Sequence, residues 1–365
     1  MRGFLILFSI VCAVFLASTE DYSIAQRFPQ WDQNGDNKLP PDELPTIKPL
    51  DRTAADRRGQ FRGRFAAGRA NRGEGEKRPA DASHDGDGPH KVREIEFTIP
   101  TERWQTSMAL RVYFPADGGP YPLILFCAGT GGGNDTFAES SIHFASHGYV
   151  VLHTSYPFNR RGGGNEELTR NRVLDIRLAL DSLGNIEKLQ PELNGKIDPE
   201  RIGAAGHSSG AYIAQLIGGA TVTFGGQVTS LRNPRIKAVI QYSGQGSNQQ
   251  GLTKDSWKNL TIPMLTLTGT RDRGATGGGP EWKKEPFDLS PAGNKYHACY
   301  EGGHHGSFSG KFAGDARGKA IFEHSKHLSL LFWDAYLKGD QKSVSLLKSQ
   351  EPSRWNDARL EYFHR

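Results

Sequence analysis

Hydrophobic and polar positions alternate in two neighbouring runs, "VREIEFTI" and "SMALRVYF". Ile95, Phe97 and Ile99 share one side of the first, and Met108, Leu110, Val112 and Phe114 one side of the second. A period of two marks a half-buried strand, and two such runs close together predict an antiparallel edge pair. The pattern then changes. "LILFC" (123–127), "YVVLHTS" (149–155), "RIGAAG" (201–206), "IKAVIQYS" (236–243), "IPMLTLTG" (262–269) and "KYHACYEG" (295–302) include nearly continuous apolar runs, as in strands covered on both faces. Helical spacings lie between them: "FAESSIHFASHG", "LTRNRVLDIRLALDSLGNI", "AYIAQLIGG" and "SLLFWDAYLKG". In the second of these, Val173, Ile176, Leu180 and Leu183 form one stripe. Alternation of this kind predicts an α/β fold, a mainly parallel eight-stranded sheet with helices on both faces. The connection from Gly244 to Thr261 is too short for a full lid domain.

This main domain is expected over residues 92–342, with a C-terminal tail at 343–365. The chain before it has a different character. Met1-Arg2-Gly3 is followed by the apolar run "FLILFSIVCAVFLA", and Ser23-Ile24-Ala25 gives a small-x-small site before Gln26. One basic residue, a short apolar run and small residues read as a secretory signal over 1–25. The run is too short to span a bilayer comfortably. A secreted or periplasmic mature protein is expected.

Hydrophobic residues make up 36% of the 365-residue chain, low enough to imply a polar, unpacked portion. Much of the +5 net charge falls in "DRTAADRRGQFRGRFAAGRANRGEGEKR" (51–78), which has almost no aliphatic bulk to offset the entropy of ordering. Residues 48–91 therefore read as a disordered basic linker: a solvated spacer, or an electrostatic tether to an envelope surface or acidic polymer. Nucleic acid is not expected as a partner. Beyond the leader only Cys127 and Cys299 remain. Two cysteines on different strands make no disulfide framework, and buried thiols are expected.

"DQNGDNKLPPDE" (32–43), within a segment spanning 26–47, matches the spacing of an EF-hand calcium loop. Asp32, Asn34, Asp36 and Glu43 supply oxygens at loop positions 1, 3, 5 and 12, and Lys38 its backbone carbonyl at position 7. Asn37 stands where glycine is usual, though asparagine tolerates the left-handed conformation. Ca²⁺ is the one metal expected, and catalysis is expected to need none.

The chemistry is sought at strand ends, because parallel α/β sheets place active residues at the carboxyl ends of their strands. "RIGAAGHSSGAY" puts Gly206-His207-Ser208-Ser209-Gly210 between a strand and a helix, the context of a nucleophile elbow. Ser208 is the candidate nucleophile. His207 reads as a packing residue or one that supports the reacting groups from behind, and Ser209 is expected to act through its N–H rather than its hydroxyl. "LTGTRDRG" brings Asp272 just past another strand, where a carboxylate can hold a histidine's tautomer. "EGGHHGSFSG" offers His304 and His305 as the base. A metal reading of this segment with His297 lacks a carboxylate or cysteine at ligand spacing. The chain order Ser, Asp, His is that of α/β-hydrolases. "FCAGTGGGN" supplies an oxyanion loop, with the N–H groups of Thr130 and Ser209 as donors. A phosphate-binding loop is disfavoured, because no Lys-Ser/Thr follows the glycines.

With these parts the chain resembles secreted bacterial α/β-hydrolases of the platelet-activating-factor acetylhydrolase and dienelactone-hydrolase-like group. The likeness covers about residues 92–340 and rests on "RIGAAGHSSGAY", "NPRIKAVIQYSG", "PMLTLTGTRD", "KYHACYEGGHHGSFSG" and "FWDAYLKGD". Aligned on Phe308, the resemblance implies His305 as the catalytic histidine, with Ser208 and Asp272 as nucleophile and acid. It implies a serine ester hydrolase acting on small-molecule or polymer-borne esters with short acyl groups. One departure is Ala128-Gly129 where the family usually has His-Gly, which removes the side chain that props the oxyanion loop. A serine peptidase on this fold, or a non-catalytic calcium-dependent binding protein, are the alternative classes.

Overall fold

The computed structural model describes residues 48–49, 81–101, 106–130, 133–154, 165–274, 277–310, 315–355 and 358–365. They belong to one compact unit, Thr46–Arg365. The leader, the EF-hand-like loop (Asp32, Asn34, Asp36, Lys38 and Glu43) and most of the basic linker lie outside the described residues.

All eight expected strands form, and they pair into one continuous stretch of sheet. In chain order they are β3 (Val92–Thr101), β4 (Thr106–Pro115), β5 (Tyr121–Cys127), β6 (Val150–Thr154), β7 (Ile197–His207), β10 (Ile236–Tyr242), β11 (Met264–Gly269) and β12 (Lys295–Tyr300). Their spatial order is β3-β4-β6-β5-β7-β10-β11-β12. The pairs β3–β4 and β4–β6 are antiparallel, and the rest are parallel. Helices α1 (Ala138–Ser146), α2 (Asn165–Asp181), α3 (Leu183–Leu189), α4 (Ser209–Gly218), α5 (Pro280–Leu289), α6 (Ala316–Trp333) and α7 (Gln341–Leu347) accompany them. A separate hairpin, β8 (Thr221–Phe224) and β9 (Gln227–Ser230), follows α4.

The continuous apolar runs are explained by a core on each face. Along β5, Leu123, Leu125 and Cys127 join the layer that contains Val173, Ile176 and Ile213. Ile124 and Phe126 join the opposite layer with Phe144, Leu328 and Trp333. Each such side chain is essentially without exposure and contributes roughly 1.5–3 kcal/mol on burial. Cys127 and Cys299 are buried free thiols, as expected.

Two boundaries differ from the sequence reading. The linker expected over 48–91 does not stay outside the domain: Lys48–Pro49 (β1) and Asp81–His84 (β2) both pair antiparallel with β3. The tail expected at 343–365 ends in β13 (Leu360–His364), which pairs antiparallel with β12 and closes the other edge of the sheet. Backbone groups on an exposed edge strand invite pairing, and both edges of the eight-stranded core are covered in this way. Among the described residues, no helix is long and apolar enough to cross a membrane.

Candidate active site

Ser208 stands between the end of β7 and the start of α4, with φ 56° and ψ −122°. A non-glycine residue rarely adopts this backbone, and holding it costs on the order of 1–3 kcal/mol. The surrounding packing maintains it. The Ser208 N–H donates to the Tyr242 carbonyl at 3.0 Å, and the Ser208 carbonyl accepts from Tyr212 N–H at 3.1 Å. The flanking glycines are sterically required. A Cβ on Gly206 would lie 2.3 Å from the Gly210 carbonyl carbon, and one on Gly210 would lie 1.9 Å from the Cys127 carbonyl oxygen. Strand and helix can therefore meet only around residues without side chains.

Asp272 lies just beyond β11 with no exposed surface. Its Oδ1 meets His305 Nδ1 at 3.1 Å. Its Oδ2 accepts from Thr268 Oγ1 at 3.0 Å and from Ser243 Oγ. Lys283, on α5 and itself buried, brings its ammonium to 3.5 Å from Oδ1 and donates to the carbonyls of Ser243 and Gly244. Burial alone would raise the Asp272 pKa. The His305 hydrogen bond, the Lys283 charge and the Ser243 hydroxyl outweigh it, so the carboxyl sits below its ordinary value and is ionised.

The two candidate histidines part company here. His304 is exposed, and its ring accepts from the Gly306 N–H within its own turn. His305 is the one bonded to Asp272. His207 takes the supporting role: its Nε2 donates to the His305 carbonyl at 2.6 Å, and the two rings stand 4.6 Å apart. Burial holds His207 down to about 4, so the ring is neutral and a fixed donor at neutral pH.

The oxyanion loop after β5 carries a correction. The sequence reading leaves the Ser209 hydroxyl idle, but it accepts from Thr130 Oγ1 at 2.8 Å. Arg172, from α2, donates to the Ala128 carbonyl at 2.5 Å and to the Ser209 carbonyl and hydroxyl at 3.1 and 3.3 Å. The loop and the start of α4 are thus clamped together by one guanidinium. On the far side, Asn134 donates to Glu96, which is paired with the buried Arg111. These contacts hold a loop that begins with Ala128-Gly129. The Ser209 N–H belongs to the first turn of α4, where N–H groups have no partner within the helix.

Comparison with known proteins agrees with this architecture. Residues 81–226 match the sequence model of the chlorophyllase family. Over 163 residues the chain is 25% identical to cutinase est1 of Thermobifida alba, covering 44% of this chain and 46% of that protein. Cutinase est2 of the same organism matches equally, at 25% over 163 residues and 45% of its length. The fold is the α/β-hydrolase fold. The chain spans less than half the length of the curated relatives it matches. The chlorophyllase match contains Ser208 but ends before Asp272 and His305, so the meeting of those two residues is an observation independent of it.

Three residues around this α/β-hydrolase site were not found from the sequence. Lys283 and Ser243 hold Asp272, and Arg172 holds the loop. Trp257 is fully buried and donates to Gln215. Trp282 donates to the Ser247 carbonyl and packs over Gly274 and Gly278, which ties the described part of the glycine-rich segment after Asp272 to α5. A cavity of about 570 Å³ opens beside β12 and β13, lined by charged residues including Arg273, Glu281, Lys284 and Arg359. Ser208, Asp272 and His305 do not line it, and it is not taken as the acyl site.

Proposed function

We propose that this chain is a serine ester hydrolase working through an acyl-enzyme. His305 takes the proton from Ser208 Oγ as that oxygen attacks the ester carbonyl carbon. Asp272 keeps the imidazole in the tautomer whose other nitrogen faces the serine and stabilises the imidazolium. The N–H groups of Thr130 and Ser209 receive the negative charge of the tetrahedral intermediate, each donor worth about 3 kcal/mol in the transition state. The imidazolium returns its proton to the departing alcohol, and water, deprotonated by the same imidazole, releases the acid and restores Ser208.

The observation that carries this reading is the His305–Asp272 contact at 3.1 Å, beside a serine held at a positive φ between a strand and a helix. The resemblance to the platelet-activating-factor acetylhydrolase group and the similarity to two cutinases both support a carboxylic ester as substrate. Short acyl or acetyl esters, free or borne on a polymer, fit a site without a large lid. We read the leader as directing secretion, the loop at Asp32–Glu43 as an accessory calcium site, and the basic linker as a solvated spacer, with a tether to an acidic surface as the alternative. Ser208→Ala should lower kcat toward p-nitrophenyl acetate by about 10⁶, the scale found for a triad serine. Near-full activity in that variant would end the proposal.

A further inference from the structure

A second group of chemistry-bearing side chains lies elsewhere. The helix α1 runs back from the carboxyl end of β5 to the start of β6, so its last turns lie toward the opposite end of the sheet from Ser208. There His143 of α1, His327 of α6 and Asp87 of the loop before β3 each place one ligand atom within 4.8 Å of the others. We propose that Asp87, His143 and His327 bind a divalent transition-metal cation, with zinc the best match.

Three observations support this site. First, the loop is built onto the helix end. The Gly88 N–H donates to Ser146 Oγ, and the His90 N–H donates to the Ser146 carbonyl, both at 3.0 Å. Gly86 and Gly88 flank Asp87, and a Cβ on either would lie within 2.4 Å of Ser146 atoms. The backbone therefore comes close enough to deliver the carboxylate to the helix. Second, His143 is buried, with its Nδ1 at 2.6 Å from Asp87 Oδ1, so these two ligand atoms already face each other. Third, the rings of His147 and His327 stand 4.6 and 5.3 Å from that of His143.

Two imidazoles and a carboxylate suit zinc, which takes nitrogen and oxygen ligands at about 2.0–2.2 Å. Calcium prefers an all-oxygen shell. The cation would replace the proton now shared by Asp87 and His143, which passes to solvent. Lys326 adds positive charge to this corner, and its ammonium pairs with Glu323 at 3.1 Å. Residues 87, 143 and 327 come from distant parts of the chain, so the ion would fasten the segment entering the domain to two helices.

The test uses full-length protein stripped of metal. Zinc is titrated against a chromophoric chelator, and cobalt is substituted for its visible absorption. Because His143 is buried, the variants are His327→Ala and Asp87→Asn, at exposed positions. One equivalent of zinc is expected, with affinity reduced about tenfold or more in each variant, and a cobalt spectrum that is lost in both. No stoichiometric zinc binding, or binding and a cobalt spectrum that both variants leave unchanged, would overturn the site. So would zinc binding abolished by Asp32→Ala and untouched by His327→Ala.

Discussion

His304 and His305 are identical neighbours whose surroundings assign them different work. His305 reaches a fully buried, ionised carboxylate, while His304 serves an exposed turn. Replacing His305 by alanine should reduce kcat by several orders of magnitude, and replacing His304 should leave it within a few-fold. An inactive His304 variant beside an active His305 variant would reverse the assignment. Ser208, Asp272 and His305 were legible in the sequence because each sits at a strand end in an order with chemical meaning. Lys283 and Ser243 were not. Nothing in the spacing of "GGGPEWKKEPFDL" marks the first of two adjacent lysines as the one that turns inward beside Asp272. Nor does Ser243 differ in pattern from any serine that ends a strand. Their roles exist only once β10, β11 and α5 have been brought together.

At the scale of elements, the oxyanion loop depends on α2, a helix that contributes no reacting atom. Arg172 bonds the Ala128 carbonyl and both oxygens of Ser209. Its removal should misplace the N–H donors rather than weaken substrate binding. Arg172→Ala is expected to lower kcat by about 10- to 100-fold, below the full loss of a donor, with little change in KM. Arg172→Lys should recover only part, since one ammonium cannot span the same fork. A rise in KM at unchanged kcat would argue against the clamp. The eight core strands were readable, β3 and β4 from their alternation and the others from apolar runs too short for buried helices and too apolar for surface loops. Helix α5 was not, since Pro286 lies inside it and proline usually argues against helix. Strands β2 and β13 were missed on different grounds: short, polar edge strands carry little of the periodic signal that marks a half-buried strand.

Over the whole molecule, the buried histidines set an acid limit. Burial holds His153 and His297 down to about 3, and His143 and His207 down to about 4. An unfolded chain protonates its imidazoles near about 6.5. Between the two values the unfolded state binds protons that the native state refuses, so stability is full above about 6.5 and falls as pH drops toward 4. The slope is up to about 1.4 kcal/mol per pH unit for each histidine. The thermal midpoint should therefore fall steeply between pH 7 and 4.5, and His153→Gln should flatten the descent. A midpoint that stays level over this range would contradict the account.

The central claim is that one strained serine carries the reaction. Full-length protein treated with a fluorophosphonate and digested for peptide mapping tests it most directly. One label per molecule is expected, on Ser208, with ester hydrolysis lost in proportion to labelling. Undiminished hydrolysis after complete labelling of Ser208, or a label placed on another residue as activity is lost, would contradict it.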